Sequence, residues 1–212
     1  MVNKPHSVKD VTCTTLNHLP VHTAMQMKQI RLKTISDNYF HEAWELYQEA
    51  FPLEERRLLD DQIRVFNKSN YHFDVMINEK ELIGFLLWWD FEKHRFIDHF
   101  ATSKQHRNKG FGKLILNRFM NRNEKPILLE VELPTSAINQ RRIEFYERIG
   151  FKLNQHYYEM PPLKEGQSPL QLLLMSYPDH ISEKEVEKFI KKCHPIIFNG
   201  DSQNSEISEK SL

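Results

Sequence analysis

Two glycines, Gly110 and Gly112, stand in the run Arg107-Asn108-Lys109-Gly110-Phe111-Gly112-Lys113, between a strand-like segment ending at Thr102 and a strongly helical stripe. Glycines at such a turn let the backbone approach a bound group closely. Free N–H groups and the positive end of the helix that follows favour an anion there. Arg107, Lys109 and Lys113 add cationic charge, so a pyrophosphate is the guest this loop suits. The loop lacks the third glycine of a dinucleotide-binding turn and the Gly-Lys-Ser/Thr ending of a P-loop. Three acids, Asp98, Glu130 and Glu132, lie in strand-like runs. Alternation puts Asp98 on one face with Phe100 and Thr102, and Glu130 with Glu132 on one face of a neighbouring strand. A buried carboxylate without a partner is costly. Acids in such places point either to proton transfer or to a structural salt bridge with Arg141 or Arg142.

Elements must hold these residues. Gln29–Ile35 reads as a strand, with Ser36 as a candidate helix cap. Phe40, Ala43, Trp44 and Tyr47 share one helical face, and Glu54–Phe66 reads as a second helix. Tyr71–Ile77 and Leu82–Trp89 flank Asn78-Glu79-Lys80-Glu81 as a hairpin. Arg95–Thr102 is a further strand. Phe111, Leu114, Ile115 and Phe119 form a helical stripe, Pro126–Leu133 a strand, and Ser136–Ile149 a helix ended by Gly150. Phe151–Tyr158 and Leu170–Tyr177 read as strands. Ser182 and Glu185 form a capping box for a last amphipathic helix. The order βααβββαβαββα predicts an α/β fold with a mixed sheet and helices on both faces.

Arg107-x-x-Gly110-x-Gly112 resembles the R/Q-x-x-G-x-G/A loop of the GNAT superfamily of acetyl-CoA-dependent N-acetyltransferases. About 30 residues later, Asn139 is followed by Tyr146 in Phe145-Tyr146-Glu147-Arg148-Ile149-Gly150-Phe151, which is similar to that family's second signature. The resemblance implies that two central parallel strands, Ile97–Thr102 and Ile127–Leu133, splay apart around acetyl-CoA. Phe100, Ala101 and Thr102 would meet the pantetheine arm through their backbone. The backbone from Arg107 through Asn108, Lys109, Gly110, Phe111 and Gly112 to Lys113 would wrap the pyrophosphate. Asn139 would help hold pantetheine, and Tyr146 would protonate the leaving thiolate. From the residues alone, Tyr146 fits equally as a buried ring beside Phe145 and Ile149. Arg142 stands where the family carries a small residue, and Thr102 where it carries Val. Phe51-Pro52-Leu53-Glu54-Glu55-Arg56-Arg57 occupies the region that shapes the acceptor pocket in this superfamily. It reads either as a substrate loop or as a solvated helix start.

The implied activity is direct transfer of an acetyl group to a primary amine of a small molecule or peptide, with Asp98, Glu130 or Glu132 as the base. The rival reading is a CoA-binding sensor or interaction module without turnover. Lys plus Arg and Asp plus Glu are both 29, so no basic footprint for nucleic acid is expected. The two cysteines, Cys13 and Cys193, argue against a disulfide framework and for a cytoplasmic location. The eleven histidines match no metal motif, so no metal is expected. No apolar run approaches the roughly 20 residues of a membrane span. Residues 1–27 read as an N-terminal extension, 28–198 as the catalytic domain, and 199–212 as a disordered tail. A homodimer is left open.

Overall fold

The computed structural model describes residues 27–163 and 166–198. The expected extension at 1–26 and the tail at 199–212 lie outside them, whereas Met27 is buried. The described chain runs β1 (Lys28–Leu32), α1 (Phe40–Ala50), α2 (Leu59–Phe66), β2 (Tyr71–Asn78), β3 (Glu81–Asp90), β4 (Arg95–Thr102) and α3 (Phe111–Met120). It continues through β5 (Ile127–Glu132), α4 (Ala137–Ile149), β6 (Lys152–Leu153), β7 (Tyr158–Met160), β8 (Leu170–Tyr177) and α5 (Glu183–Ile197). The strands form one mixed sheet in the order β1-β2-β3-β4-β5-β8-β6, with β7 also paired to β8. Every pairing is antiparallel except β4 with β5.

Each face of the sheet is buried by its own helices. Phe40, Ala43, Trp44 and Tyr47 of α1 pack on one face with Val65 of α2 and Val186, Phe189 and Cys193 of α5. Phe111, Ile115 and Phe119 of α3 cover the other with Ile143 and Tyr146 of α4. The helical stripes read from spacing are therefore the core-facing stripes. The hairpin turn is also as expected: Glu79 and Lys80 take φ of 50° and 72°, the left-handed pair that a two-residue hairpin requires. The capping box of α5 is present, with Glu185 accepting from the Ser182 N–H at 2.7 Å.

Local readings differ in three places. Ser36 does not cap α1. Asp37 instead accepts from the Lys33 and Thr34 N–H groups at 2.5 and 3.1 Å, and the helix starts after Tyr39 in a left-handed conformation. The continuous helix expected over 54–66 is a short 3₁₀ turn, Leu53–Glu55, then extended backbone, then α2. That break turns Arg57 inward, where its N–H donates to the Tyr47 hydroxyl at 2.8 Å. The single strand expected over 151–158 is split into β6 and β7. Asn154 interrupts it, because its buried amide bonds the Leu174 carbonyl at 3.1 Å and the Ser176 hydroxyl at 3.0 Å.

One close approach fixes the middle of the sheet. A Cβ added at Gly84 of β3 would lie 2.3 Å from the Ala101 carbonyl oxygen of β4. Backbone at that distance cannot give way cheaply, so Gly84→Ala should destabilise the fold by about 1–3 kcal/mol. A urea melt should show a lower midpoint at unchanged slope, and an unchanged midpoint would refute the constraint.

Candidate active site

β4 and β5 stay together only briefly. Arg95, Phe96 and Ile97 pair with Ile127, Leu128 and Leu129, and the ladder ends there although both strands continue. At the same point β4 bulges. Leu87 faces His99 and Trp88 faces Ile97, so Asp98 has no partner on β3. An extra residue of this kind bends a strand and increases its twist. The result is a cleft of about 710 Å³ between the strand ends, lined by Asp98 to Thr102 of β4 and Leu129 to Glu132 of β5.

The loop after β4 forms one end of the cleft. Arg107, Asn108, Gly110, Gly112 and Lys113 line it. Gly110 sits at φ 84° and caps α3, so its freedom is needed for the turn. Gly112 is needed for space instead: a Cβ there would come within 3.2 Å of the Phe145 ring. Two residues of the expected loop stand apart from the wall. Lys109 is exposed, and the Phe111 ring is buried against His106. Asn139 also lies off the lining, with its side-chain amide donating to the Leu133 carbonyl at 3.0 Å. Tyr146 reaches the cleft from α4, and burial pushes its pKa up to about 12.

The three strand acids have different surroundings. Asp98 is 4% exposed at its side chain and accepts from Arg57 Nη1 at 2.5 Å and Trp89 Nε1 at 3.1 Å. His99 Nδ1 stands 3.1 Å from its other oxygen. Burial alone would raise its pKa, but the Arg57 and His99 charges outweigh burial and hold the carboxyl well below the usual range. Glu132 pairs with Arg142 at 2.5 Å, so the arginine that departs from the family pattern is the partner of a cleft acid. Among the described residues Glu130 has no cationic partner within ion-pair distance. Burial pushes its pKa up to about 8, against the hydrogen bond it accepts from the Tyr158 hydroxyl.

Sequence reasoning left Glu55 and Arg57 undecided and did not single out Tyr158 or His194. Glu55 lines the cleft, and its pKa is raised by burial and by the adjacent Glu132 carboxylate. Its carbonyl accepts from His99 Nε2 at 2.8 Å. Phe51, Met160, Leu163 and Phe198 complete an apolar wall beside these acids. Among the described residues no cluster of His, Cys, Asp and Glu is arranged to hold a metal, and no helix is long and apolar enough to cross a membrane.

This arrangement has known counterparts. A family model described as the acetyltransferase (GNAT) family matches residues 37–151. A solved structure described as a candidate acetyltransferase of the GNAT family from Bacteroides thetaiotaomicron is 35% identical with a TM-score of 0.75, covering 82% of this chain and 99% of that one. YjbC of Bacillus subtilis (strain 168), described as a candidate acetyltransferase, is 27% identical over 79% of this chain and 88% of its own. Arabidopsis thaliana NAA60, solved with acetyl-CoA, shares the fold at 17% identity and a TM-score of 0.54, over 71% of this chain and 97% of its own. The chain belongs to the GNAT acetyltransferase family and is an acyltransferase. The expected splayed mixed sheet is its architecture. β7, β8 and α5 all lie beyond the matched span.

Glu130 makes the pH response of folding directional. Unfolded, it ionises in the ordinary carboxyl range; folded, it keeps its proton to about pH 8. Folding is therefore opposed increasingly as pH rises between those values, and by a constant amount above them. Glu130→Gln removes that opposition, so its stability relative to the parent should grow between about pH 5 and about pH 8. Urea melts across that window measure it, and a difference independent of pH would contradict the assignment.

Proposed function

We propose that the chain transfers an acetyl group from acetyl-CoA directly to a primary amine of a small molecule or peptide. The observation that carries this is the opening between β4 and β5, which exposes donor backbone at one end and acids at the other. Past Ile97, β4 has no ladder partner in β5, which leaves the backbone of Phe100, Ala101 and Thr102 unpaired with β5 and suited to the amide groups of pantetheine, the Thr102 carbonyl also accepting from Arg107 Nε at 3.3 Å. Arg107 to Lys113 suit the pyrophosphate, because Gly110 supplies the turn and Gly112 the room. Asn139 then acts by fixing the Leu133 carbonyl at the rim of the cleft. Acetyl-CoA, when bound, supplies an activated acyl group, and the protein's residues handle the protons.

Tyr146 keeps its phenolic hydrogen at neutral pH and faces the cleft, which suits it to protonate the departing thiolate. Asp98 is a poor base, since Arg57 and Trp89 hold its charge in place. Glu132 is neutralised by Arg142. Glu130 titrates near neutrality and is the base that can relieve an ammonium of its proton. Glu55 then faces the cation, while Phe51, Met160, Leu163 and Phe198 fit an apolar body. The acceptor is accordingly a primary ammonium carried on a compact apolar group, and an anionic group beside the amine would be repelled. Among the described residues no cysteine lines the cleft, in keeping with direct attack by the amine. The cytoplasm, where Cys193 would stay reduced, is the proposed compartment.

Two variants separate donor binding from chemistry. Gly112→Val should weaken CoA binding at least about tenfold, roughly 1.4 kcal/mol, by calorimetry. Tyr146→Phe should keep CoA affinity and melting temperature while kcat falls about 10²–10⁴-fold. Turnover is read as thiol release from acetyl-CoA with apolar primary amines, amino acids and polyamines as acceptors. Unchanged CoA affinity in folded Gly112→Val would remove the donor site from this loop. No thiol release with any amine would overturn the activity.

A further inference from the structure

Two buried groups beyond the matched span, Tyr158 and His194, form a line with Glu130. Tyr158 of β7 donates its hydroxyl to Glu130 Oε1, and the same oxygen lies 2.8 Å from Nε2 of His194 in α5. Tyr158 is 1% exposed and His194 is 9% exposed. β7 is two strands from β5, with β8 between them. That separation is about 10 Å, and a phenol is long enough to help bridge it over the β8 leucines. A buried tyrosine needs only one partner for its hydroxyl. Here a carboxyl on the cleft wall, a phenol and an imidazole on a covering helix are hydrogen-bonded in series. By contrast, His94 contacts Cys193 Sγ at 3.5 Å, and neither residue lines the cleft.

We propose that Glu130, Tyr158 and His194 form a proton relay that carries the acceptor's proton out of the cleft through α5. The proposal rests on the acetyltransfer reading above. Glu130 touches the amine and is the catalytic residue; Tyr158 and His194 act through it. The need is physical. A base that cannot discharge its proton turns over once.

The proton balance closes. The ammonium gives one proton to the Glu130 carboxylate, which frees the nitrogen lone pair for attack. With the His194 hydrogen on Nδ1, Glu130–COOH donates to the Tyr158 oxygen and Tyr158 donates to Nε2. Transfer along both bonds leaves a carboxylate, a neutral phenol and an imidazolium. Loss of the Nδ1 proton to water leaves Nε2–H donating to Tyr158 and Tyr158 donating to the carboxylate. The phenol hydrogen and the imidazole tautomer reset before the next turnover. Burial pushes the His194 pKa down to about 4, below the Glu130 carboxyl at about 8, so the imidazolium forms uphill, only transiently, and gives up its proton at once. The charged and titratable groups facing Glu130 are Tyr158 from β7, Asp98 from β4, and Glu55 and Arg57 from the segment before α2. His194 meets Tyr158 and the rings of Phe189 and Phe198.

The test uses the full chain and two variants. Tyr158→Phe keeps the ring and removes the donor to Glu130. His194→Gln can still donate to the phenol but cannot carry a proton through. In CoA-free protein, carbon-13 NMR titration of the Glu130 carboxyl should show its midpoint raised by about half a unit or more in Tyr158→Phe. In His194→Gln the midpoint should stay near the parent's. With an amine acceptor, kcat should fall at least about tenfold in both variants, with KM for acetyl-CoA unchanged. In Tyr158→Phe the rising limb of the pH–rate profile should move upward with the midpoint. If Tyr158→Phe does not fold, His194→Gln decides alone. Parental kcat in His194→Gln overturns the relay, as does an unmoved Glu130 midpoint in folded Tyr158→Phe. The titration needs no acceptor, so it judges the relay even if the amine reading fails on its own assay.

Discussion

The structure depends on the parting of β4 and β5 after Ile97. Parallel strands in the middle of a sheet normally satisfy each other's backbone groups along their whole length. Here three pairs are made, and then the strands separate. What holds them apart is visible in the chain. The bulge at Asp98 turns β4, and Arg57 locks the bulged residue from the opposite side. Arg57 in turn sits within 5.9 Å of the Tyr71 and Trp89 rings, so the ion pair is embedded in the aromatic core rather than lying on the surface. Replacing either partner would leave a buried charge alone, which is far costlier than losing an exposed pair. The cleft is thus a product of the core, and its walls are as rigid as the packing behind them.

Burial raises the pKa of both Asp98 and Glu130, and the charges beside each decide the outcome. Asp98 is paired, and its charge is stabilised. Glu130 is paired with no cation among the described residues, and its charge is disfavoured until about pH 8. Divergent environments of this kind are how one site holds both a fixed charge and a group that exchanges protons under the same conditions.

Much of this was legible in the sequence, and the failures have physical causes. Long periodic segments, such as the stripe through Phe111, Ile115 and Phe119, show their buried face because a helix has only one way to present it. The glycine loop and the Tyr146 helix are local patterns, and both stand where their order implied. Asp98, Glu130 and Glu132 were recognisable as acids in strands, but not their separate surroundings, because Arg57, Arg142 and Tyr158 reach them from remote parts of the chain. Arg57 was hidden by its setting in a charge-rich run that resembles a solvated helix start. Tyr158 and His194 carried no local signal, since a lone aromatic and a lone histidine read as ordinary core. Ser36 and the 54–66 helix failed where a side-chain contact, from Asp37 or Arg57, overrode local preference.

The family-matched span ends at Phe151, yet α5 contributes His194 to the line of polar groups and Phe198, just beyond it, lines the cleft. Chains emerge from the ribosome N-terminus first, and their early parts begin to fold before the later ones exist. The glycine loop, both splayed strands and Tyr146 are therefore available while the covering helix is still unmade. During synthesis the strands and loop that line most of the cleft precede the segment that supplies His194 and Phe198. The end of the helix thus adds Phe198, the last of the described residues to join the wall, to a cleft whose other walls are already made.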